Sequence, residues 1–306
     1  MTSQGATLYF ALQTVEKELE TLERTRETRR ENLRLVQARV DTGTSDELDL
    51  SRAQSELAVV EADLEVIKAL KERTLNAMAV LEGQTPARFS LEVTPLPCSP
   101  PSVPEVLPSE LVSSRPDVVA AEELAKAASA AIGVAKSVFF PSFNLTLLGG
   151  TSTQDSDKVF DSDSRFWSLS PGFTLPIFEG GRNMANLEIA EEAYLEAIEN
   201  YKRTVLNAIR EVEDAIVNVR QLERQSEKLE ESVTAAFRTT ELSRSRYLEG
   251  LVSYFDVVDA ERQALDLERS LNVACGQRYA ASVELIRALG GGYSSSTTTE
   301  TERKEG

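Results

Sequence analysis

The 306-residue sequence contains no histidine and only two cysteines, Cys98 and Cys275. Without histidine, no histidine-based catalytic triad, proton relay or metal site can form. Two cysteines so far apart are too few for a metal knuckle or a disulfide framework. They could form a single bond, for which the sequence provides no geometry. We therefore expect no enzymatic activity, no metal and no cofactor.

Signals for export and for a membrane-spanning helix are also lacking. Residues 1–20 have no basic start, apolar stretch or cleavage site, so they predict no signal peptide. The sequence has no run of 18 apolar residues. Its 50 acidic and 33 basic residues give a net charge of −17, which argues against binding to nucleic acid or to an anionic membrane surface. These absences alone would favour a soluble cytoplasmic protein.

A heptad repeat is the clearest pattern that is present. Over residues 182–248, apolar side chains recur at alternating spacings of four and three, which predicts one long helix with a coiled-coil seam. The seam residues are Tyr194, Ile198, Tyr201, Val205, Ala208, Val212, Ala215, Val219, Leu222, Ser226, Leu229, Val233 and Ala236. Residues 1–40 carry a weaker repeat, which Arg26 and Arg29 interrupt. A single stripe of this kind is also typical of an ordinary bundle core or a coiled-coil dimer.

An internal duplication relates the two ends of the chain. Residues 36–83 align without a gap on residues 243–290. The matched residues include Arg39, Gly43, Asp49 and Gly83, which correspond in order to Arg246, Gly250, Asp256 and Gly290. Each unit predicts a long helix, a glycine turn and a long return helix, because glycine accepts the left-handed conformation that ends a helix. We expect return helices at about 46–82 and 253–289, and hence two antiparallel helical hairpins.

Two segments without charged residues, 137–154 and 166–178, lie between the duplicated units. Both alternate between apolar and small polar residues, which predicts two β-strands, although Pro141, Pro171 and Pro176 count against them. The apolar residues on the shared face would be Phe143, Leu145, Leu147, Trp167, Leu169 and Phe173. That face would contact lipid in a membrane barrel, or a core in a soluble hairpin that caps the helices. Two strands cannot close a barrel, so the membrane alternative requires oligomerisation.

Several segments together resemble the TolC-like outer-membrane efflux proteins, the outer-membrane factors of resistance–nodulation–division tripartite pumps. The segments that carry the resemblance are Ser114–Val118, Ala130–Ala135, Phe139–Pro141, Leu175–Arg182, Arg246–Tyr247 with Gly250, Asp256–Ala260 and Ala288–Gly291. Their order and spacing are similar to the family over residues 5–292. Each segment alone is a weak signal, whereas the combination is specific.

The resemblance implies a mainly α fold with a small β part. Long antiparallel coiled-coil hairpins would form an α-barrel, and a transmembrane β-hairpin would contribute to a β-barrel shared by a trimer. The implied division is a first helical hairpin at 1–83, a proline-rich equatorial linker at 84–110, a helix at 111–137, the membrane hairpin at 138–178, a second helical hairpin at 179–291 and a disordered tail at 292–306. Met1 would fall inside a helix of the first repeat, so we expect an N-terminally truncated chain.

The resemblance also implies roles for single residues. Asp256 and Asp259, one helical turn apart, match the aspartates that line the periplasmic constriction and would form the channel gate. Alternatively, an aspartate here supports the first turn of a helix. Arg39, Gly43, Arg246 and Gly250 would lie at tips that face an adaptor protein, although an arginine also stabilises a helix C-terminus. The aromatic residues of the strands would lie at the lipid interface, with core packing as the alternative.

From this resemblance we expect a non-enzymatic outer-membrane channel subunit of a tripartite efflux pump. It would form a homotrimer in outer-membrane lipid, extend into the periplasm and export small molecules passively. Its partners would be a periplasmic adaptor (membrane fusion) protein and an inner-membrane efflux pump, with no nucleic acid. The alternative is a soluble coiled-coil scaffold or a nonfunctional remnant of such a channel.

Overall fold

The structure is a computed structural model that describes residues 2–91, 93–95, 97–100, 115–152 and 165–291. These residues form five α-helices, one short 3-10 turn (Pro86–Arg88) and one two-stranded sheet. The elements are α1 (Thr2–Asp41), α2 (Glu47–Leu81), α3 (Pro116–Ser137), β1 (Ser142–Thr151), β2 (Arg165–Thr174), α4 (Arg182–Leu248) and α5 (Tyr254–Ala288). The predicted fold class, mainly α with a small β part, is confirmed.

The described residues belong to two compact units. The first contains residues 1–108 and 210–306, and the second contains residues 109–209. The predicted disordered tail at 292–306, most of the second half of the predicted linker and the first residues of the helix predicted at 111–137 lie outside the described residues. No helix among the described residues is both long and apolar enough to cross a membrane.

The residues predicted to form the heptad seam of α4 are partly or fully shielded from solvent. Every residue of the predicted seam from Tyr194 to Ala236 is buried or half-buried. The seam holds small residues such as Ala208 and Ala215, which let a neighbouring helix approach closely. Its one polar member, Ser226, is 2% exposed and donates its hydroxyl to the carbonyl of Glu223 at 2.8 Å. A serine whose hydroxyl is bonded within its own helix can occupy a buried seam position without leaving an unpaired group.

Four helices end at the glycines that the duplication predicts. Gly43, Gly83, Gly250 and Gly290 have φ values of 72°, 69°, 75° and 88°. In the first turn the amide of Thr44 donates to the Arg39 carbonyl at 2.8 Å, and in the second the amide of Leu251 donates to the Arg246 carbonyl at 2.8 Å. This is the Schellman arrangement, which a residue with a side chain adopts only under strain. The two repeats therefore share their turn geometry.

The helix α5 begins with a capping box. The carboxylate of Asp256 accepts hydrogen bonds from the Ser253 amide at 2.9 Å and from the Ser253 hydroxyl at 2.6 Å. These bonds satisfy groups that the first helical turn leaves unpaired. Both hydrogen bonds hold the pKa of Asp256 below its ordinary value of 3.8; the bond from the Ser253 hydroxyl has the larger effect, and the bond from the Ser253 amide has the smaller one.

The core of the first unit lies where α1 packs against α2 and α5. Leu19 and Leu22 of α1 contact Val60 and Leu64 of α2, and Leu22 and Leu64 are at most 2% exposed. Nearer the glycine turns a second cluster joins all four helices of the unit. Its buried members are Val36, Ala53, Tyr247, Tyr254, Val257 and Val258.

A buried ion-pair cluster interrupts this apolar packing at Arg29 of α1. Arg29 is 2% exposed and pairs with Glu261 of α5 and, at 3.5 Å, with Glu56 of α2. Asn32 donates to the other carboxylate oxygen of Glu261 at 2.8 Å. Arg262 pairs with Glu56 from the more exposed side. Because each buried charge has a partner on another helix, a shift of any one helix along its axis would leave a charge unpaired.

A second polar layer joins the same three helices nearer the N-terminus of α1. Asn272 of α5 donates to the Thr21 hydroxyl at 3.1 Å and to the Glu18 carboxylate at 3.3 Å. Arg269 pairs with Glu18 at 2.5 Å and with Asp63 of α2 at 2.9 Å. The two polar layers together fix the relative heights of α1, α2 and α5.

The second unit contains the antiparallel hairpin of β1 and β2. The strands pair from Ser142 with Thr174 to Thr151 with Arg165. Pro171 lies inside β2, opposite Leu145, rather than at a strand end. A proline is tolerated there because both strands of a two-stranded sheet are edge strands. Pro141 and Pro176 fall just outside the strands.

We predict that removing the Glu261 charge destabilises the first unit strongly. Glu261→Gln leaves Arg29 with only one, more distant carboxylate, and breaking a buried ion pair costs about 3–5 kcal/mol. The matched control is Glu231→Gln, which removes the exposed partner of Lys228. A surface pair of this kind contributes about 0–1 kcal/mol. Denaturant unfolding monitored by helical circular dichroism measures both, and equal losses for the two variants would contradict the role given to the buried cluster.

We predict that the capping box makes a pH-dependent contribution to stability. Because folding lowers the pKa of Asp256, its stabilisation is present above the unfolded pKa of about 3.8 and is lost as the pH falls through the lower folded value. Asp256→Asn should therefore be less stable than the native protein at pH 7, and the difference should disappear in strong acid. The control is Asp259→Asn, which removes a carboxylate that does not cap the helix and should therefore not show this pH-dependent loss of stability. A gap that persists at pH 2 in thermal unfolding would disprove this assignment.

Candidate functional site

The two glycine turns of the first unit lie side by side. The guanidinium of Arg39, just before the first turn, stands 4.7 Å from the centre of the Tyr247 ring, just before the second. One of its nitrogens also lies 3.5 Å from the Tyr247 carbonyl. On the return helices, the Arg52 guanidinium stands 5.4 Å from the Phe255 ring. Two cation–π contacts thus join the first repeat to the second at this end of the helices.

The predicted gate aspartates lie on the solvent face of α5. Asp256 and Asp259 are both exposed, whereas Val257 and Val258 between them are buried in the core. Two carboxylates one helical turn apart are therefore exposed on this face of α5 and accessible to ions or to a partner. Asp256 forms the capping box, which is the alternative role that the sequence offered for an aspartate at this position. The two roles are compatible, since a capping carboxylate remains charged and exposed.

The two predicted tip arginines differ in environment although the repeats align. Arg39 is half-buried against Tyr247, and its Nε is a buried donor without a hydrogen-bond partner. Arg246 is exposed. Gly43 and Gly250 are exposed as well, with open space where a Cβ would lie. Arg246 and the two glycines are therefore accessible to a partner, while Arg39 mainly joins the repeats.

Two buried tyrosines belong to this site and were not among the predicted site residues. Tyr247 is 6% exposed and Tyr254 is 2% exposed, and the hydroxyls of both are buried without a hydrogen-bond partner. Burial, followed by the charge of Glu261, raises the pKa of Tyr254 to about 12, so its hydroxyl stays neutral. The sequence contains one signal for the buried ion-pair cluster, which is the interruption of the α1 seam at Arg29. It contains none for the partners Glu56 and Glu261.

The pairing register of the hairpin groups the predicted lipid-facing residues on one face. Phe143 opposes Phe173 and Leu147 opposes Leu169, with their neighbours Leu145 and Trp167 at positions of the same parity. All six are exposed, and Phe143 and Trp167 are 79% and 77% exposed. The opposite face carries mainly small polar pairs. These are Ser142 with Thr174, Asn144 with Gly172, and Thr146 with Ser170.

Other chemistry is not evident in the described part of the chain. Across residues 2–91, 93–95, 97–100, 115–152 and 165–291, no group of three acidic or cysteine side chains is arranged to hold a metal ion. The first unit thus presents exposed carboxylates, cations and glycine turns, and the second unit separately presents an exposed apolar strand face. Such groups suit ion selection and protein or lipid contact.

Comparison with known proteins identifies a family. A family model described as outer membrane efflux protein matches residues 107–291. The outer membrane protein OprJ of Pseudomonas aeruginosa is 35% identical over 266 residues, which cover 85% of this chain and 54% of OprJ. The cation efflux system protein CusC of Escherichia coli K12 is 31% identical over 300 residues, which cover 95% of this chain and 64% of CusC. The chain thus spans less than two thirds of these relatives.

Solved structures agree with this result. The open state of the MtrE outer membrane channel of Neisseria gonorrhoeae superposes with a TM-score of 0.85 at 30% identity, covering 97% of this chain and 67% of that one. The outer membrane protein VceC of Vibrio cholerae gives a TM-score of 0.82 at 29% identity, covering 95% of this chain and 70% of that one. The resemblance inferred from the sequence is confirmed: the chain belongs to the outer membrane efflux protein family.

Proposed function

We propose that the chain is a subunit of an outer-membrane channel that exports small molecules passively as part of a tripartite efflux pump. It carries no enzymatic activity in this proposal. Three copies assemble in outer-membrane lipid, with their helices extending into the periplasm. A periplasmic adaptor protein and an inner-membrane pump complete the pathway and supply the energy.

The observation that carries the proposal is the exposed apolar face of the hairpin. In water, the six apolar side chains of β1 and β2 would each remain uncovered, which is unfavourable by about 25 cal/mol per Å² of apolar surface. In a bilayer, lipid covers this face, while the small polar residues opposite contact a wet lumen. Each strand is about ten residues long, the length that crosses a membrane when tilted. Unpaired outer strand edges cannot remain in lipid, so the hairpin requires neighbours.

A second exposed surface supports assembly from several copies. The side of α2 that faces away from the core carries Val59, Val66 and Val80, which are 54%, 66% and 68% exposed and whose positions differ by multiples of seven. The small residues Ala62 and Ala69 continue the same stripe and are exposed too. A second heptad seam on a helix that already has one buried seam is suited to packing against a neighbouring subunit.

In this assembly Asp256 and Asp259 form rings of carboxylates around the axis and act as the gate. Threefold repetition brings like charges together, which favours cations and hinders anions. Arg246, Gly43 and Gly250 are accessible to the adaptor at the tips, and Arg39 positions the two turns. Among the relatives, CusC is named for cation efflux and TtgI of Pseudomonas putida for toluene efflux. Because these cargoes differ so widely, we propose only small molecules as the class that passes.

We predict that removing the gate carboxylates opens and neutralises the constriction. In channels purified from outer membranes and placed in planar bilayers, Asp256→Ala with Asp259→Ala should raise single-channel conductance about twofold or more and reduce cation selectivity. The control is the double variant Glu227→Ala with Glu231→Ala, which also removes two carboxylates, but from α4. It should change neither the conductance nor the cation selectivity. Unchanged conductance in the gate variant would refute the gate, whereas native protein without any conductance would refute the channel itself.

A further inference from the structure

The extended segment that follows α2 is covalently bound to α5. Cys98 lies in this segment, of which the structure describes residues 93–95 and 97–100, and forms a disulfide with Cys275 in the middle of α5. The bond closes a loop with a sequence separation of 177 residues. The question left open by the sequence, whether the two cysteines pair, is thereby answered.

Side chains of two helices hold the same segment by its carbonyl oxygens. The Tyr279 hydroxyl donates to the Pro97 carbonyl at 2.7 Å, and Arg278 Nη1 donates to the Cys98 carbonyl at 2.7 Å. From α1, Gln13 donates to the Thr94 carbonyl at 3.2 Å. Proline has no amide hydrogen, so a proline-rich segment offers mainly carbonyls for attachment. The disulfide adds the one bond that does not depend on hydrogen-bond geometry.

Arg278 connects this attachment to a third part of the chain. The same guanidinium lies 3.1 Å from the Ser226 hydroxyl and 3.3 Å from the Glu223 carboxylate, both in α4. Cys98 precedes residues 109–209 in the chain, and α4 leads out of them. Within the first unit, residues 275–279 of α5 therefore bind both the segment around Cys98 and α4.

Close packing of α1 against α5 surrounds the disulfide but leaves its two cysteines partly accessible to solvent. Phe10 of α1 stacks on Tyr279 with ring centres 4.7 Å apart, and a Cβ on Gly276 would lie 2.2 Å from the Thr14 hydroxyl oxygen. Helices α1 and α5 thus approach closely beside the disulfide. Cys98 and Cys275 themselves are only half-buried. A thiol reagent from solvent can reach them.

We propose that the Cys98–Cys275 disulfide is a redox-controlled clasp, which locks the extended segment onto α1, α4 and α5 only after the chain enters an oxidising compartment. On closing, the two thiols lose two protons and two electrons to a disulfide oxidant, which is reduced to two thiols by thiol–disulfide exchange. In reverse, a thiolate of a dithiol reductant attacks the Cys275 sulfur, forms a mixed disulfide there and releases Cys98 as a thiolate. Arg278 Nη1, 4.0 Å from the Cys98 sulfur, stabilises that charge. The second thiol of the reductant then attacks the mixed disulfide, which frees Cys275 and leaves the reductant as a disulfide.

The clasp is independent of the channel function and has its own test. Protein isolated from an oxidising compartment is denatured and treated with a maleimide, before and after reduction with dithiothreitol. We expect no reactive thiol before reduction and two after it. On the folded protein, reduction should lower the melting temperature by about 5 °C or more, because the bond closes a long loop. It should also accelerate tryptic cleavage after the exposed Arg88, upstream of the segment, about tenfold.

The double variant Cys98→Ser with Cys275→Ser is the matched control. It should melt and be cleaved like the reduced native protein, and dithiothreitol should have no further effect on it. If this variant does not fold, the reduction of native folded protein still provides the comparison. Two free thiols in protein from an oxidising compartment, or equal melting and cleavage before and after reduction, would overturn the clasp.

Discussion

The pairing of buried Arg29 with Glu56 and Glu261 is the interaction on which the arrangement of the helices depends. Long heptad seams of alanine, valine and leucine bury apolar area well, but such a seam can slip by one heptad at little cost. A buried charge cannot slip, since losing its partner is far more costly than losing one apolar contact. Asp256 lies five positions before Glu261 on the same helix. The ion pairs therefore also fix the position of Asp256 and Asp259, the proposed gate carboxylates, relative to the first repeat.

The two repeats share a backbone plan but not the same surface chemistry. Their turns have the same left-handed glycine and the same carbonyl cap, so duplication preserved what the backbone requires. The side chains diverged. Arg52 occupies the place of Asp259 and contacts Phe255 of the other repeat. At these aligned positions the second repeat presents two carboxylates, Asp256 and Asp259, whereas the first has Asp49 and the cation Arg52. Arg39 and Arg52 of the first repeat contact aromatic rings of the second. This division of roles explains why one gate would arise from two similar hairpins.

The sequence allowed the local features to be predicted and left the long-range ones open. Heptad spacing and glycine positions predicted the helices and turns, because both are set by contacts within one or two helical turns. Alternation predicted which strand residues share a face. The partners of Arg29, by contrast, lie on other helices, and no spacing in the sequence relates them. The disulfide, the unpaired hydroxyl of Tyr254 and the tolerance of Pro171 inside β2 likewise depend on the tertiary arrangement.

We propose that copies of this chain share one assembly in the outer membrane, since a single copy leaves an apolar strand face, open strand edges and a helical seam uncovered. The most direct measurement is the mass of the complex that a mild detergent extracts from outer membranes, determined by native mass spectrometry. Our account predicts a complex of three copies in the membrane fraction. A single copy, or recovery of the protein entirely in the aqueous fraction, would contradict it.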